Sequence, residues 1–137
     1  MNKLTKAERL KRKLVIESLF GGNGKSFPVF PLRVVFMTTE REMDTAAVRV
    51  LVSVSKRCFK RAVKRNRVKR QIREAYRKNK QLLYEALEGK SFGLVLAFIW
   101  LDKELHPSEE IEQKMKMLLH RVIEKMPAHE QGGKVDS

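Results

Sequence analysis

Cysteine is nearly missing from this 137-residue chain. Cys58 stands alone, which excludes an internal disulfide framework and a cysteine-based zinc site and suits a reducing compartment. Long apolar runs are missing too. The longest, Leu94 to Leu101, is eight residues, far below the roughly 20 that a membrane-spanning helix needs. Met1 to Lys13 holds no apolar stretch of the secretory-signal kind. The expectation is a soluble, cytoplasmic protein with no membrane association. Histidine is sparse as well: His106, His120 and His129 fit neither a zinc-peptidase helix motif nor a Cys/His metal spacing. Gly21, Gly22 and Gly24 follow a helical pattern and not a strand, the wrong context for a phosphate-cradling loop. Hydrolysis by the polypeptide would require a positioned nucleophile, base or metal. No such constellation is present, so neither catalytic residues nor a metal site is expected on the protein.

What the chain has instead is positive charge, concentrated in one place. Its formal net charge is +14. The stretch Lys56 to Lys80 holds thirteen Lys and Arg against the single acid Glu74, a net +12. Residues 1–55 add +5 and residues 81–137 contribute −3. Val68, Ile72, Ala75 and Tyr76 recur at helical spacing within the basic stretch, with Asn79 and Leu83 continuing the row. At about 100° per residue, Asn66, Arg67, Lys69, Arg70, Arg73 and Arg77 fan over the opposite side, with Lys64 and Arg65 at the border. Like charges three and four residues apart cost a few tenths of a kcal/mol per pair, and one glutamate cannot relieve them. A helix that retains such repulsion is expected to meet a polyanion.

The remaining elements give an α+β domain. Thr5 to Glu8 reads as a capping box that starts a helix running to about Phe20, with Lys11, Arg12 and Lys13 as a smaller basic patch. Strands are predicted at Leu32 to Thr38 and Ala47 to Ser55, from alternating patterns, and these two are expected to form an antiparallel hairpin. The basic helix follows, stopped near Gly89. Phe92 to Leu101 is apolar on both faces, as in a central strand. Pro107, Ser108, Glu109 and Glu110 open a last helix, which packs through Ile111, Met115, Leu118, Leu119, Val122 and Met126 and stops at Pro127. His106 is expected to be no more than a helix-start residue. The order is α-β-β-α-β-α, a two-layer sandwich of a small mixed sheet and helices, forming one domain over residues 1–127 with a disordered tail at 128–137.

Ser53-Val54-Ser55-Lys56-Arg57, then Ala62-Val63-Lys64-Arg65-Asn66-Arg67-Val68-Lys69-Arg70 and Ile72-Arg73-Glu74-Ala75, closely resemble the signature of the bacterial ribonuclease P protein component. In that family a Ser-Val-Ser-Lys-Lys strand end leads into an Arg-Asn-Arg helix. The match is dense over about 25 residues, and by element order it covers the chain to Pro127. The resemblance implies a left-handed crossover of the basic helix between two parallel strands. It also implies an RNA partner that carries the catalytic Mg²⁺ and removes the 5′ leader from precursor tRNA. Lys56, Arg57, Lys60, Arg61, Lys64, Arg65, Asn66, Arg67, Lys69, Arg70 and Arg73 are then expected to face the catalytic RNA. Lys11, Arg12, Ile16, Phe20 and Phe36 are expected along the groove for the single-stranded leader. Ile16 stands where the family often carries a second aromatic, and Leu51 and Phe59 replace two family glycines.

The implied function is that of the protein subunit of an endoribonuclease whose chemistry belongs to the RNA. The implied partners are the ribonuclease P RNA and precursor tRNA, with no obligate protein partner. Two rivals fit the composition: a ribosomal or ribosome-assembly protein, and a DNA-binding module that lays the basic helix in a major groove.

Overall fold

The computed structural model describes residues 24–40 and 48–126, together with Glu17. The first predicted helix, with Lys11, Arg12, Ile16 and Phe20, and the tail after Pro127 lie outside the described residues. Among the described residues the chain forms strands β1 (Lys25–Val29), β2 (Leu32–Glu40) and β3 (Val48–Ser53), then helices α1 (Ala62–Asn79) and α2 (Gln81–Ala86). Strand β4 (Phe92–Trp100) and helix α3 (Ser108–Lys125) complete the series.

The sheet order is β1-β2-β4-β3. β4 is therefore central, as its two-sided apolar sequence predicts, and seven of its nine residues are buried. It pairs antiparallel with β2, from Leu32 opposite Trp100 to Glu40 opposite Phe92. Its other edge pairs parallel with β3, from Val48 opposite Leu94 to Ser53 opposite Ile99. The expected hairpin between the second and third strands does not form, because β4 lies between them. A parallel pair cannot be closed by a tight turn, and residues 54–91 supply the long crossover, with the basic helix inside it.

β2 instead forms its hairpin with β1, a strand the sequence pattern did not reveal. Val29 pairs with Leu32 across the two-residue turn Phe30-Pro31, whose peptide bond is cis. Pro28 cannot donate a ladder hydrogen bond, and β1 tolerates it because it is an edge strand. Past the end of β4, the Leu101 amide donates to the Pro31 carbonyl at 2.8 Å, joining that turn to the β4–α3 loop.

One face of the sheet meets the helices. Leu32, Val34 and Phe36 of β2, with Leu94, Leu96, Phe98 and Trp100 of β4, share a core with Val68, Ile72 and Ala75 of α1. Ile111, Met115, Leu118, Leu119 and Val122 complete it from α3. Asn79, the one buried polar residue among the described residues, donates through Nδ2 to the Ala75 carbonyl at 2.8 Å and to Glu112 at 3.4 Å, tying α1 to α3. The helical stop expected near Gly89 is present, with φ of +80° at that glycine. The opposite face of the sheet carries a second apolar group: Val35, Val95 and Ala97, with Met37, Leu51 and Ile99 against them.

His106 does more than start a helix. Its Nε2 lies 2.6 Å from Asp102 and its Nδ1 lies 2.9 Å from Glu110, so both ring nitrogens face carboxylates. The ring also meets Trp100 edge-on at 5.3 Å and Phe30 at 6.4 Å. Burial pushes the imidazole pKa down, but the bonds and charges of Asp102 and Glu110 push harder, and it ends above its ordinary value of 6.5. A raised folded value stabilises the protein below the unfolded pKa, and that contribution is lost as pH rises through the folded value. Urea melts of the native chain should show stability falling on that rise, and His106→Gln should remove this part of the fall. Identical pH profiles for the two proteins would show that the imidazolium does not hold the loop.

Candidate nucleic-acid interface

Helix α1 is fixed by its apolar row and leaves its charge outside. Val68, Ile72, Ala75 and Asn79 are buried, whereas Lys64, Asn66, Arg67, Arg70 and Arg73 are exposed and Lys69 is half-buried. The helical stripe read from the sequence is therefore the packing face. Gln71, on the flank, donates through Nε2 to the His106 carbonyl at 3.1 Å and to Ser108 Oγ at 3.0 Å. The β4–α3 loop, itself clamped by His106, thus braces the middle of the basic helix.

The loop from Val54 to Arg61 adds a second tier of cations. Lys56, Arg57, Lys60 and Arg61 are all exposed. The loop is turned by amides of Cys58 and Phe59 that donate to the Ser55 carbonyl at 3.1 and 3.3 Å, and it is anchored by the buried Phe59 ring. Cys58 is packed, its sulfur 3.7 Å from the Trp100 carbonyl. Arg65 differs from its neighbours: it is half-buried, and Nη1 donates to the carbonyls of Phe59 at 2.9 Å and Lys60 at 2.7 Å.

The electrostatics of α1 are arranged against its own dipole at the N-terminus. No acid lies in its first turn and no side chain caps it, although negative charge is favoured there and positive charge is not. Glu74 is engaged at the far end. It accepts hydrogen bonds from Arg77 Nε and Nη2, the former at 3.1 Å, and the bonded guanidinium holds its carboxyl below the usual range. That pair engages Arg77, which stays exposed. Among the described residues, no carboxylate forms an ion pair with any cation from Lys56 to Arg73. The result is a positive surface, made of one helical face and one loop, that no carboxylate among the described residues neutralises.

Of the eleven positions expected to face RNA, nine are exposed on α1 and the loop before it, Lys69 is half-buried, and Arg65 turns inward to the loop carbonyls. The leader-groove residues fare differently. Lys11, Arg12, Ile16 and Phe20 lie outside the described residues. Phe36 requires a correction: it is 2% exposed, stacks on Phe27 at 5.7 Å and sits in the helix-side core, so no bound strand can reach it. Alternation along β2 puts Phe36 on the side of Leu32 and Val34; the residues that face the other way are Arg33, Val35 and Met37. Across the sheet, Arg49 lies in register with Val95 and Met37, and Arg33 with Ile99. The sheet face away from α1 and α3 therefore carries two arginines around an apolar centre, a feature that the separate strand patterns did not join. Leu51, a departure from the family pattern, belongs to this centre, and Phe59 anchors the loop.

The family model described as Ribonuclease P matches residues 4–123. The ribonuclease P protein component of Porphyromonas gingivalis is 43% identical over 125 residues, covering 91% of this chain and 90% of that protein. That of Chlorobium phaeobacteroides is 32% identical over 131 residues, covering 89% of each. Among solved structures, the RNase P protein from Thermotoga maritima superposes with a TM-score of 0.61 at 23% identity, covering 88% of this chain and 97% of that one; at that identity the likeness speaks for the fold.

Proposed function

The chain belongs to the ribonuclease P protein family, and on that premise we propose that it binds the catalytic RNA of ribonuclease P and the 5′ leader of precursor tRNA. In this role it promotes endonucleolytic removal of the leader. One observation carries the reading: the surface from Lys56 to Arg73 has no carboxylate pairing with it among the described residues and is held rigid from behind by the core, Gln71 and the Ser55 turn.

Each exposed arginine offers a planar fork that matches phosphate oxygens. Asn66, among them, both donates and accepts. Because the helix and loop that carry them are held in place, these groups meet the RNA backbone without the cost of ordering a flexible loop, and only the side chains are ordered on binding. Divalent metal for the phosphodiester hydrolysis is assigned to the RNA. The protein supplies cationic charge that lowers the electrostatic cost of bringing two polyanions together. The leader is assigned to the side of the sheet away from α1 and α3, where Arg33 and Arg49 flank Met37, Leu51 and Ile99. Cytoplasmic residence accords with this role, and among the described residues no helix is long and apolar enough to cross a membrane.

The test is cleavage of a precursor tRNA by the RNA subunit of Porphyromonas gingivalis ribonuclease P at low Mg²⁺, with and without the protein. Strong stimulation, larger for substrates with a leader of several nucleotides than for those with one, is expected. Absence of stimulation, with an RNA that cleaves at high Mg²⁺, would return the choice to a ribosomal or ribosome-assembly role.

A further inference from the structure

We infer that Arg65 is a positioning residue of the RNA interface, which acts by holding the β3–α1 loop and its four cations in place and not by binding phosphate itself. The inference rests on the RNA-binding reading of this surface. Arg65 is the middle of a cationic run, and charge alone would class it with Arg67. The geometry separates them. Arg67 is exposed and has no hydrogen-bond partner among the described residues, whereas Arg65 is half-buried and Nη1 donates to the carbonyls of both Phe59 and Lys60.

Those two carbonyls sit where the loop runs into α1. The residue before the helix, Arg61, provides no side-chain cap, so the usual device for fixing a helix start is missing. Arg65, one turn further on, reaches back and performs a related task from inside the helix. The Phe59 ring is buried beneath the loop and the Ser55 carbonyl gathers the amides of Cys58 and Phe59. With Arg65 the loop is pinned on both sides, and Lys56, Arg57, Lys60 and Arg61 project from a fixed backbone. Without it the carbonyls of Phe59 and Lys60 turn to water, the loop gains freedom, and its cations must be ordered again at each binding event.

A double-mutant cycle distinguishes this role from direct contact. Binding of the Porphyromonas gingivalis ribonuclease P RNA is measured for the full chain, for Arg65→Gln, for Lys60→Gln and for the pair; Lys60→Gln leaves the Lys60 carbonyl in place. Arg65→Gln should weaken binding by about tenfold, the scale of one lost charged hydrogen bond. In that background Lys60→Gln should cost at least about threefold less than it does alone. The same cycle with Arg67→Gln should be multiplicative. Amide exchange in the free protein should quicken at Cys58 and Phe59, whose amides donate to the Ser55 carbonyl, in Arg65→Gln while Val68 to Ala75 stay protected. Should Arg65→Gln fail to fold, Arg65→Lys, which keeps a donor but not the fork, is held to the same two criteria. Multiplicative effects of Arg65 and Lys60, or unchanged exchange in the loop, would overturn the positioning role alone. Failure of the unaltered protein to bind the RNA would overturn the interface reading and this inference with it.

Discussion

Replacing Arg67, Arg70 and Arg73 together by glutamine lowers affinity for the catalytic RNA by about a hundredfold or more at low salt, since charged hydrogen bonds contribute about 1.5–3 kcal/mol each. The three side chains are exposed, follow one another at intervals of three on α1, and form no ion pair among the described residues. Each phosphate neutralised releases condensed counterions, so the slope of log affinity against log salt should shrink by roughly two to three units when three contacts are lost. Folding should be unharmed. Like charges repel along this face by a few tenths of a kcal/mol per pair, so the triple variant should melt at the same temperature or slightly higher. Binding curves at several salt concentrations, read beside a thermal melt, decide the matter. An unchanged salt slope would remove these arginines from the interface.

Phe98→Ala should produce the largest loss of stability. Phe98 is fully buried on the central strand, in register with Val34 on one side and Val52 on the other. Its ring lies 6.0 Å from that of Tyr76, so the sheet and the basic helix meet there. Truncating a buried phenylalanine costs about 3–5 kcal/mol, a large share of a total of roughly 5–15 kcal/mol. Urea melts should show a midpoint far below that of the native chain. Below that midpoint the residual folded protein should bind RNA with an unaltered salt slope, because no cation has been moved. A cost under about 1 kcal/mol would mean that α1 does not pack on β4 as described.

Local patterns carried most of the interface. The apolar row from Val68 to Asn79 fixes which side of α1 is buried, and the cations then have one side left. The two-sided apolarity of Phe92 to Trp100 likewise places β4 at the centre. Partner identity was harder, because strand order depends on contacts far apart in sequence. Alternation describes β2 and β3 equally well as a hairpin or as strands separated by a third. β1 was hidden by Pro28 and a neighbouring cluster of glycines, both of which weaken a strand signal although an edge tolerates the proline. Phe36 shows a conflict between two kinds of reading: alternation places it on the core side, and the family pattern suggested a groove. The spacing of Asp102, His106 and Glu110 is visible in the sequence, but Asp102 to His106 is a loop, where an interval of four has no fixed geometry until the chain is folded. Arg65 was legible as a border residue and no further, since its partners are backbone carbonyls, which every sequence has.

The strand order also sets a schedule. β1 and β2 can pair as soon as they leave the ribosome, but the inner edges of β2 and β3 both await β4, which is made only after the entire basic helix. Until residue 100 has emerged, two strand edges and an apolar helix stripe have no partner, while the cations of that helix are already in place. In a nascent chain the charge precedes the core. Contacts of such long range are slow to form and leave edges open to association while they do, and the early repulsion between basic segments of neighbouring chains opposes that association during the interval.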